Sequence, residues 1–363
     1  MDRYQTRRDK LRKLVAKAGA DSLLVTNFIN VTYLTGFTGD DSYLLVTRDS
    51  EVLISDPRYT TQLEGECPGL ELHIRQPGTQ MLEAVVKVLE MAKSSRLGIE
   101  GDSMTVSLRD SIAGKLPKVE IVATSGLVEQ LRLRKDKEEV NAIRAAVAIA
   151  EKAFGVLRAS LRPEQTEKEV ADGLEHQLRL FGAKGASFQS IIAVGERAAL
   201  PHARPTGKKI GESGLLLVDW GASGPLYMSD LTRVLVTGKI SPKLERVYGV
   251  VLKAQLAAIA AIRPGMTCHE ADQAARDVIE AAGFGPQFGH GLGHGLGLEI
   301  HEGPRLARGN KQVLEPGMVV TVEPGIYLPG WGGVRIEDDI LVTKDGCEVL
   351  TSTPKQWEQA LVA

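Results

Sequence analysis

The sequence predicts an α/β protein of two domains: an N-terminal α/β domain over residues 1–130 and a C-terminal α+β domain over residues 131–363. Three observations carry this. Short apolar, β-branched runs alternate with helical spacing through the first domain. A charged stretch, LRLRKDKEEV (131–140), then breaks the alternation. Beyond it, one order of short motifs is written twice. A chain of 363 residues has room for two full cores.

In chain order, SLLVT (22–26), YLLVT (43–47) and EVLIS (51–55) read as strands, each followed by a polar or turn residue. MLEAVVKVLEMAK (81–93) has the apolar spacing of a helix, and LGIE (97–100) and EIVAT (120–124) read as further strands. The α/β unit ends near Val128. In the charged stretch Asp136, with Glu139 three positions on, is a capping signature. After it Val140, Ile143, Val147, Ala150, Phe154 and Leu157 recur every three or four residues, which predicts a long amphipathic helix.

The second part repeats itself. LRPEQTEKE (161–169) is echoed by IRPGMTCHE (262–270), and both place a Thr N-cap and a Glu at the third helical position. Each follows a longer helix, residues 136–160 in one copy and 242–262 in the other, the latter opened by Ser241-Pro242. VDWG (218–221) is matched by VEPG (322–325), and DLTRVLVT (230–237) by EDDILVT (337–343), one residue shorter. One match arises easily by chance; four in the same order do not. Residues 134–355 therefore read as a duplicated helix–helix–strands unit forming one pseudo-two-fold domain.

Duplication changes the meaning of Asp219. It ends the apolar run LLLV, where a lone ionised carboxylate is costly unless something compensates it. Its counterpart Glu323 ends MVVTV, and Asp230 and Glu337 begin the strands that follow. Halves packed about a two-fold axis bring these four acids together, where repulsion raises their pKa values. Two divalent ions balance four negative charges. A single strand-end Asp is readily satisfied by backbone N–H groups or an arginine; four at equivalent positions are not.

Oxygen ligands alone favour hard ions, and an added histidine shifts preference towards Mn, Co, Fe or Zn. Of seven histidines, His290, His294 and His301 fall in GHGLGHGLGLEIHEGP (289–304), whose glycines point to backbone lying close to something. His202 sits in the Pro-flanked loop LPHARP, whereas His73, His176 and His269 read as surface or cap residues. HExxH fails at both His-Glu pairs, and no GxGxxG, GK[ST] or GxSxG is present.

Hydrophobic content of 43%, charged content of 25% and a net charge of −2 describe an ordinary globular protein, with no electrostatic basis for nucleic acid or an anionic membrane. The run RRDKLRK near the start mixes with acids and reads as a solvated helix face. MDRYQTRRDKLRK has no apolar core of signal-peptide length, and no stretch is apolar enough to span a bilayer. Three scattered cysteines, Cys67, Cys268 and Cys347, make a disulfide framework or thiolate zinc site unexpected and a cytoplasmic setting expected.

VDWGA, YMSDLTR, GHGLGHGLGLEIHE, TVEPGIY and GGVRIEDDILVT together resemble the motif set of the pita-bread metallopeptidases, which include methionine aminopeptidase, aminopeptidase P and prolidase. NVTYLTGFTGDDSYLLVT (30–47) and DPRY (56–59) resemble the creatinase/prolidase-like smaller domain of aminopeptidase P and prolidase, which methionine aminopeptidase lacks. The resemblance covers nearly the whole chain and narrows the choice to Xaa-Pro peptidases.

Carried over residue by residue, it implies two divalent metal ions, with Mn favoured over Co, Zn or Fe. Asp219 would hold one ion, Asp230 and Glu337 would bridge both, and His294 and Glu323 would complete the second. His202 and His301 match the family's non-ligand catalytic histidines, Glu323 its acid–base group, and Arg335 an arginine beside the bridging Glu337, two residues away on the same strand face. His290 matches no role beyond the glycine loop. The substrate implied is a peptide with proline at its second position, and the assembly a homodimer.

Substrate length is open between a dipeptide, whose carboxylate Arg204 or Arg58 could read, and longer peptides. The alternatives are a metal-free creatinase-like C–N hydrolase and a non-catalytic binding module on the same fold, both of which go with a lost ligand set that this sequence retains.

Overall fold

The leucine- and valine-rich runs of the first domain form strands of one sheet. In the computed structural model, which describes residues 2–238 and 241–361, the chain divides into two compact units, Met1–Arg132 and Leu133–Ala363. The first holds a six-stranded sheet in the order Glu71–Ile74, Glu51–Ser55, Tyr43–Thr47, Ser22–Val25, Arg96–Glu100, Glu120–Thr124. The central hairpin strands pair antiparallel, and the outer strands pair parallel through helical crossovers. Every residue of Ser22–Val25 is buried, which is why that run is apolar without alternation. Met81–Ala92 is the helix that the spacing predicts, packing Ala84, Val85, Val88 and Leu89 inward.

Two features of this unit depart from the sequence reading. Glu71–Ile74 is an additional edge strand with no fully buried residue, so it carries no apolar pattern. RRDKLRK lies on the helix Arg3–Lys17, but it is not a solvated face: Arg7 and Arg8 are each 6% exposed. Arg7 Nη1 donates to Tyr33 O and Arg8 Nη1 to Leu34 O, both at 2.8 Å, so two guanidinium groups satisfy carbonyls at the end of the helix Phe28–Thr35. Such orphan carbonyls attract cations.

The second unit writes the same order of elements twice. Lys137–Ser160 and Glu167–Leu180 form one helix pair, and Pro242–Ala261 and Cys268–Ala281 the other. Capping boxes open three of them, at Asp136/Glu139, Thr166/Glu169 and Thr267/Glu270, and Ser241 caps the fourth. Ile191–Val194, Leu215–Trp220 and Leu231–Val236 follow the first pair as an antiparallel sheet. Gly293–Gly295, Val319–Val322 and Asp338–Val342 follow the second, flanked by Glu302–Leu306 and Cys347–Val349.

Leu215–Trp220 is apolar throughout because both its faces are covered. Leu216, Val218 and Trp220 join Ala150, Phe154 and Leu174 of the first helix pair. Trp220 stacks on Phe154 with centroids 4.2 Å apart and donates Nε1–H to Ala150 O at 2.9 Å. Leu215 and Leu217 face the other core, with Val247, Val251 and Ile279 of the second pair. Asp219 follows Leu217 in the period-two pattern, so it faces the second half. The two halves meet where Glu337 N donates to Thr232 O at 3.2 Å.

No described helix is long and apolar enough to cross a membrane, and Cys67, Cys268 and Cys347 are free thiols. Removing either repeat cap, by Thr166→Ala or Thr267→Ala, is expected to lower unfolding free energy by about 1 kcal/mol. Chemical denaturation checks this: the midpoint falls and the slope is unchanged.

Candidate active site

The strand ends deliver the acids. Asp219 lies near the end of Leu215–Trp220 and Asp230 just before Leu231–Val236; Glu323 follows Val319–Val322 and Glu337 precedes Asp338–Val342. These four, with His202, His294, His301 and Arg335, all line one cavity of about 700 Å³. Asp219, Asp230 and Glu337 are 7%, 5% and 2% exposed, so the carboxylates are removed from bulk water.

His294 is brought in by the glycine-rich run. A Cβ on Gly293 would lie 2.1 Å from Thr321 O, and one on Gly295 1.9 Å from Gly303 O, so no other residue lets these strands approach. His294 Nδ1 lies 3.0 Å from Gly295 O, which can only accept, so that nitrogen carries the proton. Nε2 then points into the cavity, 3.5 Å from Asp230 Oδ2 and 3.4 Å from Glu323 Oε1. Ligand atoms of Asp230, His294 and Glu337 all lie within 4.8 Å of one another.

Neutral donors hold the acids in place. Thr232 Oγ1 donates to Glu337 Oε2 at 2.6 Å, and Thr321 Oγ1 to Glu323 Oε1 at 3.1 Å while accepting from His294 N at 3.0 Å. Asp339 Oδ2 accepts from Asp230 N at 3.2 Å. Arg335 is a buried guanidinium here: it binds Asp219 Oδ2, donates Nε–H to Thr232 Oγ1 at 3.1 Å and Nη1–H to Tyr327 OH at 2.8 Å.

One guanidinium does not compensate this cluster. Burial first, then Asp219, Glu323 and Asp339, push Asp230 well above the usual carboxylate range; burial, then Asp230, Glu323 and Asp219, do the same to Glu337. Burial also raises Asp219 and Glu323, with Arg335 opposing it at Asp219 and His294 at Glu323. Asp219 Oδ1 is fully buried and has no hydrogen-bond partner among the described residues. An orphaned carboxylate oxygen, a surplus of buried acid and an imidazole nitrogen aimed into the same space fit divalent cations.

The histidines differ in setting. His301 lies with its ring 4.5 Å from that of His294, and burial, then His294, lower its pKa. His202 is exposed on its loop and faces the cavity. His290, to which the sequence assigned only the glycine loop, also lines the cavity. Its Nε2 is 2.9 Å from Tyr327 OH and its Nδ1 2.7 Å from Gly291 O, and burial followed by Arg335 lowers its pKa to about 4. Tyr327, its own pKa raised by burial to about 12, links Arg335 to His290.

Tyr327, Thr232, Thr321, Asp339 and Arg305 were not singled out in the sequence. Period two was the available signal for the threonines, since each stands two residues from an acid that flanks its strand. Arg305 pairs in register with His294 across the sheet, which no local pattern announces. Of the two arginines considered for a substrate carboxylate, Arg204 lines the cavity. Arg58 is instead bonded to Asp41 at 2.8 Å and Asp56 at 2.7 Å within the first unit.

Comparison with known proteins finds relatives for both units. Residues 7–134 match the creatinase/prolidase N-terminal domain. A solved Xaa-Pro dipeptidase from Bacillus anthracis superposes with a TM-score of 0.94 at 41% identity, over 97% of this chain and 99% of that one. A solved X-Pro aminopeptidase from Thermotoga maritima gives 0.88 at 35% identity, over 96% and 99%. The Xaa-Pro dipeptidase of Pyrococcus furiosus is 36% identical, over 96% of this chain and 99% of that protein. Residues 141–344, which hold every acid and histidine of the cavity, match metallopeptidase family M24, and the chain belongs to that family.

Proposed function

We propose that this protein is a metal-dependent exopeptidase that hydrolyses the bond between an N-terminal residue and a following proline. The carboxylate cluster with its unpartnered Asp219 Oδ1 is the observation that carries the reading. Asp219, Asp230, His294, Glu323 and Glu337 would hold two divalent ions. Bound divalent ions, Mn being favoured by an oxygen-rich set with one imidazole, supply a nucleophilic hydroxide at neutral pH and polarise a carbonyl.

Glu323, raised in pKa by burial, is suited to take a proton from the attacking water. The leaving nitrogen of an Xaa-Pro bond is tertiary and has no N–H, so it departs only if protonated, and Glu323 returns that proton. His301, whose pKa is lowered by partial desolvation and by His294, donates N–H to the developing oxyanion. His202 orients the substrate beside the scissile bond. Arg335 donates to Asp219, Thr232 and Tyr327, so it fixes ligand geometry. Phe188, Ile191 and Pro201 give the cavity an apolar side that suits a pyrrolidine ring.

A dipeptide is the favoured substrate, because Arg204 and Arg305 line the same cavity and offer a free carboxylate a partner. The enzyme is proposed to work as a homodimer, as its motif resemblance implies, and in the cytoplasm, where free thiols persist.

Hydrolysis of Xaa-Pro against Xaa-Pro-Yaa-Zaa, followed chromatographically, tests substrate length; faster cleavage of the tetrapeptide overturns the dipeptidase assignment. Chelation is expected to abolish activity and Mn²⁺ or Co²⁺ to restore it, and Asp230→Asn to cut kcat by orders of magnitude in a folded protein. Activity that survives with metal content near zero removes the mechanism.

The raised carboxylates add a pH signature. Their folded pKa values exceed the unfolded ones near about 4. Their contribution is therefore complete below that value and lost as pH rises through the folded pKa values. The melting temperature of chelated protein should fall as pH rises above about 4, less steeply in Asp230→Asn, and Mn²⁺ should raise it more at the higher pH. Calorimetry across that range decides.

A further inference from the structure

The repeat places Glu167 directly after the Thr166 cap, as the first residue of a 14-residue helix, yet the cap uses Glu169 and leaves Glu167 over. Glu167 is 0% exposed. Its Oε1 accepts from Val194 N at 2.9 Å and Arg197 Nε at 3.0 Å; Oε2 accepts from Thr206 N at 2.9 Å, Thr206 Oγ1 at 2.6 Å and Arg197 Nε at 3.0 Å. A carboxylate this buried is normally costly, but here every lone-pair direction is answered and the helix N-terminus adds favourable potential.

Val194 and Thr206 are the two ends of one loop. Between them Arg197 closes the ring again, donating Nη2–H to Arg204 O at 2.6 Å. The residues so enclosed include Pro201, His202, Ala203 and Arg204, all of which line the cavity. Ala203 is buried at 4% exposure, whereas His202 is exposed, and among the described residues no hydrogen bond of the His202 side chain competes with the loop in setting its position.

The second half uses the same device with different residues. Asp272, 0% exposed on Cys268–Ala281, accepts from Leu292 N at 2.9 Å and pairs with Arg276. Arg276 Nη1 donates to Phe288 O at 3.0 Å, and its other terminal nitrogen binds His290 O. In each half a buried acid on the second helix, paired with an arginine, closes the loop that presents a cavity histidine.

We propose that Glu167, through Arg197 and Thr206, is a positioning residue that closes the 195–205 loop and so fixes His202 against the substrate. The proposal rests on the part given to His202 above. Replacement by an isosteric amide removes the charge that holds Arg197 and disfavours both backbone donors, which frees the loop.

Four proteins test it: wild type, Glu167→Gln, His202→Ala and the double variant, loaded with Mn²⁺ and assayed on an Xaa-Pro dipeptide. Amide hydrogen exchange is read in parallel on the same proteins. Glu167→Gln is expected to lower kcat about tenfold or more. The double variant should be no slower than His202→Ala alone, because both act through one side chain. Exchange at Val194 and Thr206 should quicken about tenfold while that of the Leu215–Trp220 strand stays unchanged.

Losses that multiply in the double variant, or unchanged loop exchange, overturn the clamp. Full activity of Glu167→Gln beside an impaired His202→Ala does the same. A fully active His202→Ala instead overturns the role given to His202. Should Glu167→Gln fail to fold, Arg197→Gln, at a side chain 23% exposed, carries the same comparison.

Discussion

Four carboxylates at the junction of two half-domains set the terms for everything around them. Removing an ion of that size from water costs several kcal/mol even after relaxation. The fold therefore has to hold Asp219, Asp230, Glu323 and Glu337 against both desolvation and one another. It does so with two apolar strands per half, each packed on both faces or against a helix pair, so that backbone position is fixed far more strongly than the acids repel. Cations then have a formed site to enter, which is why Arg335 alone is retained: it secures one oxygen of Asp219 and leaves the other unmatched.

Duplication is an economical way to build such a junction. A strand that ends in an acid, written twice and packed face to face, places two acids opposite each other without any long-range invention. The copies then diverge where chemistry demands it. The first half contributes Asp219 and a hydroxyl from Thr232, while the second contributes the longer Glu323, Thr321 and the imidazole of His294. Near-identical helix caps at Thr166 and Thr267 show how much of the frame stayed common while the site became asymmetric.

What the sequence disclosed follows the same division. The capped helices, the wholly apolar strands and the four acids were legible because each rests on local spacing or on its twin. Arg7 and Arg8 were not, since a guanidinium reads as solvated until the carbonyls of Phe28–Thr35 are found beside it. Glu71–Ile74, half-exposed at an edge, has no alternation to detect. His290 and Tyr327 meet only across a hairpin and a glycine loop, and Glu167 is buried by donors from positions 194, 197 and 206 that no window of sequence contains. Contacts closed by topology are invisible to periodicity.

The cavity also moves its acids and its imidazoles in opposite senses, and the two movements have one cause. Desolvation favours the neutral form of each, so it raises Asp230 and Glu337 and lowers His290 and His301. Added divalent charge lowers every one of these pKa values. For the carboxylates it reverses the effect of burial and returns them to the ionised state that binds cations. For His290 and His301 it acts in the same direction as burial and favours the neutral imidazole. An imidazolium beside the ions would repel them and could not share the site. The same low-dielectric enclosure that makes the bare acids expensive thus selects, once cations are present, the single protonation pattern in which ligands are anionic and neighbouring imidazoles are neutral.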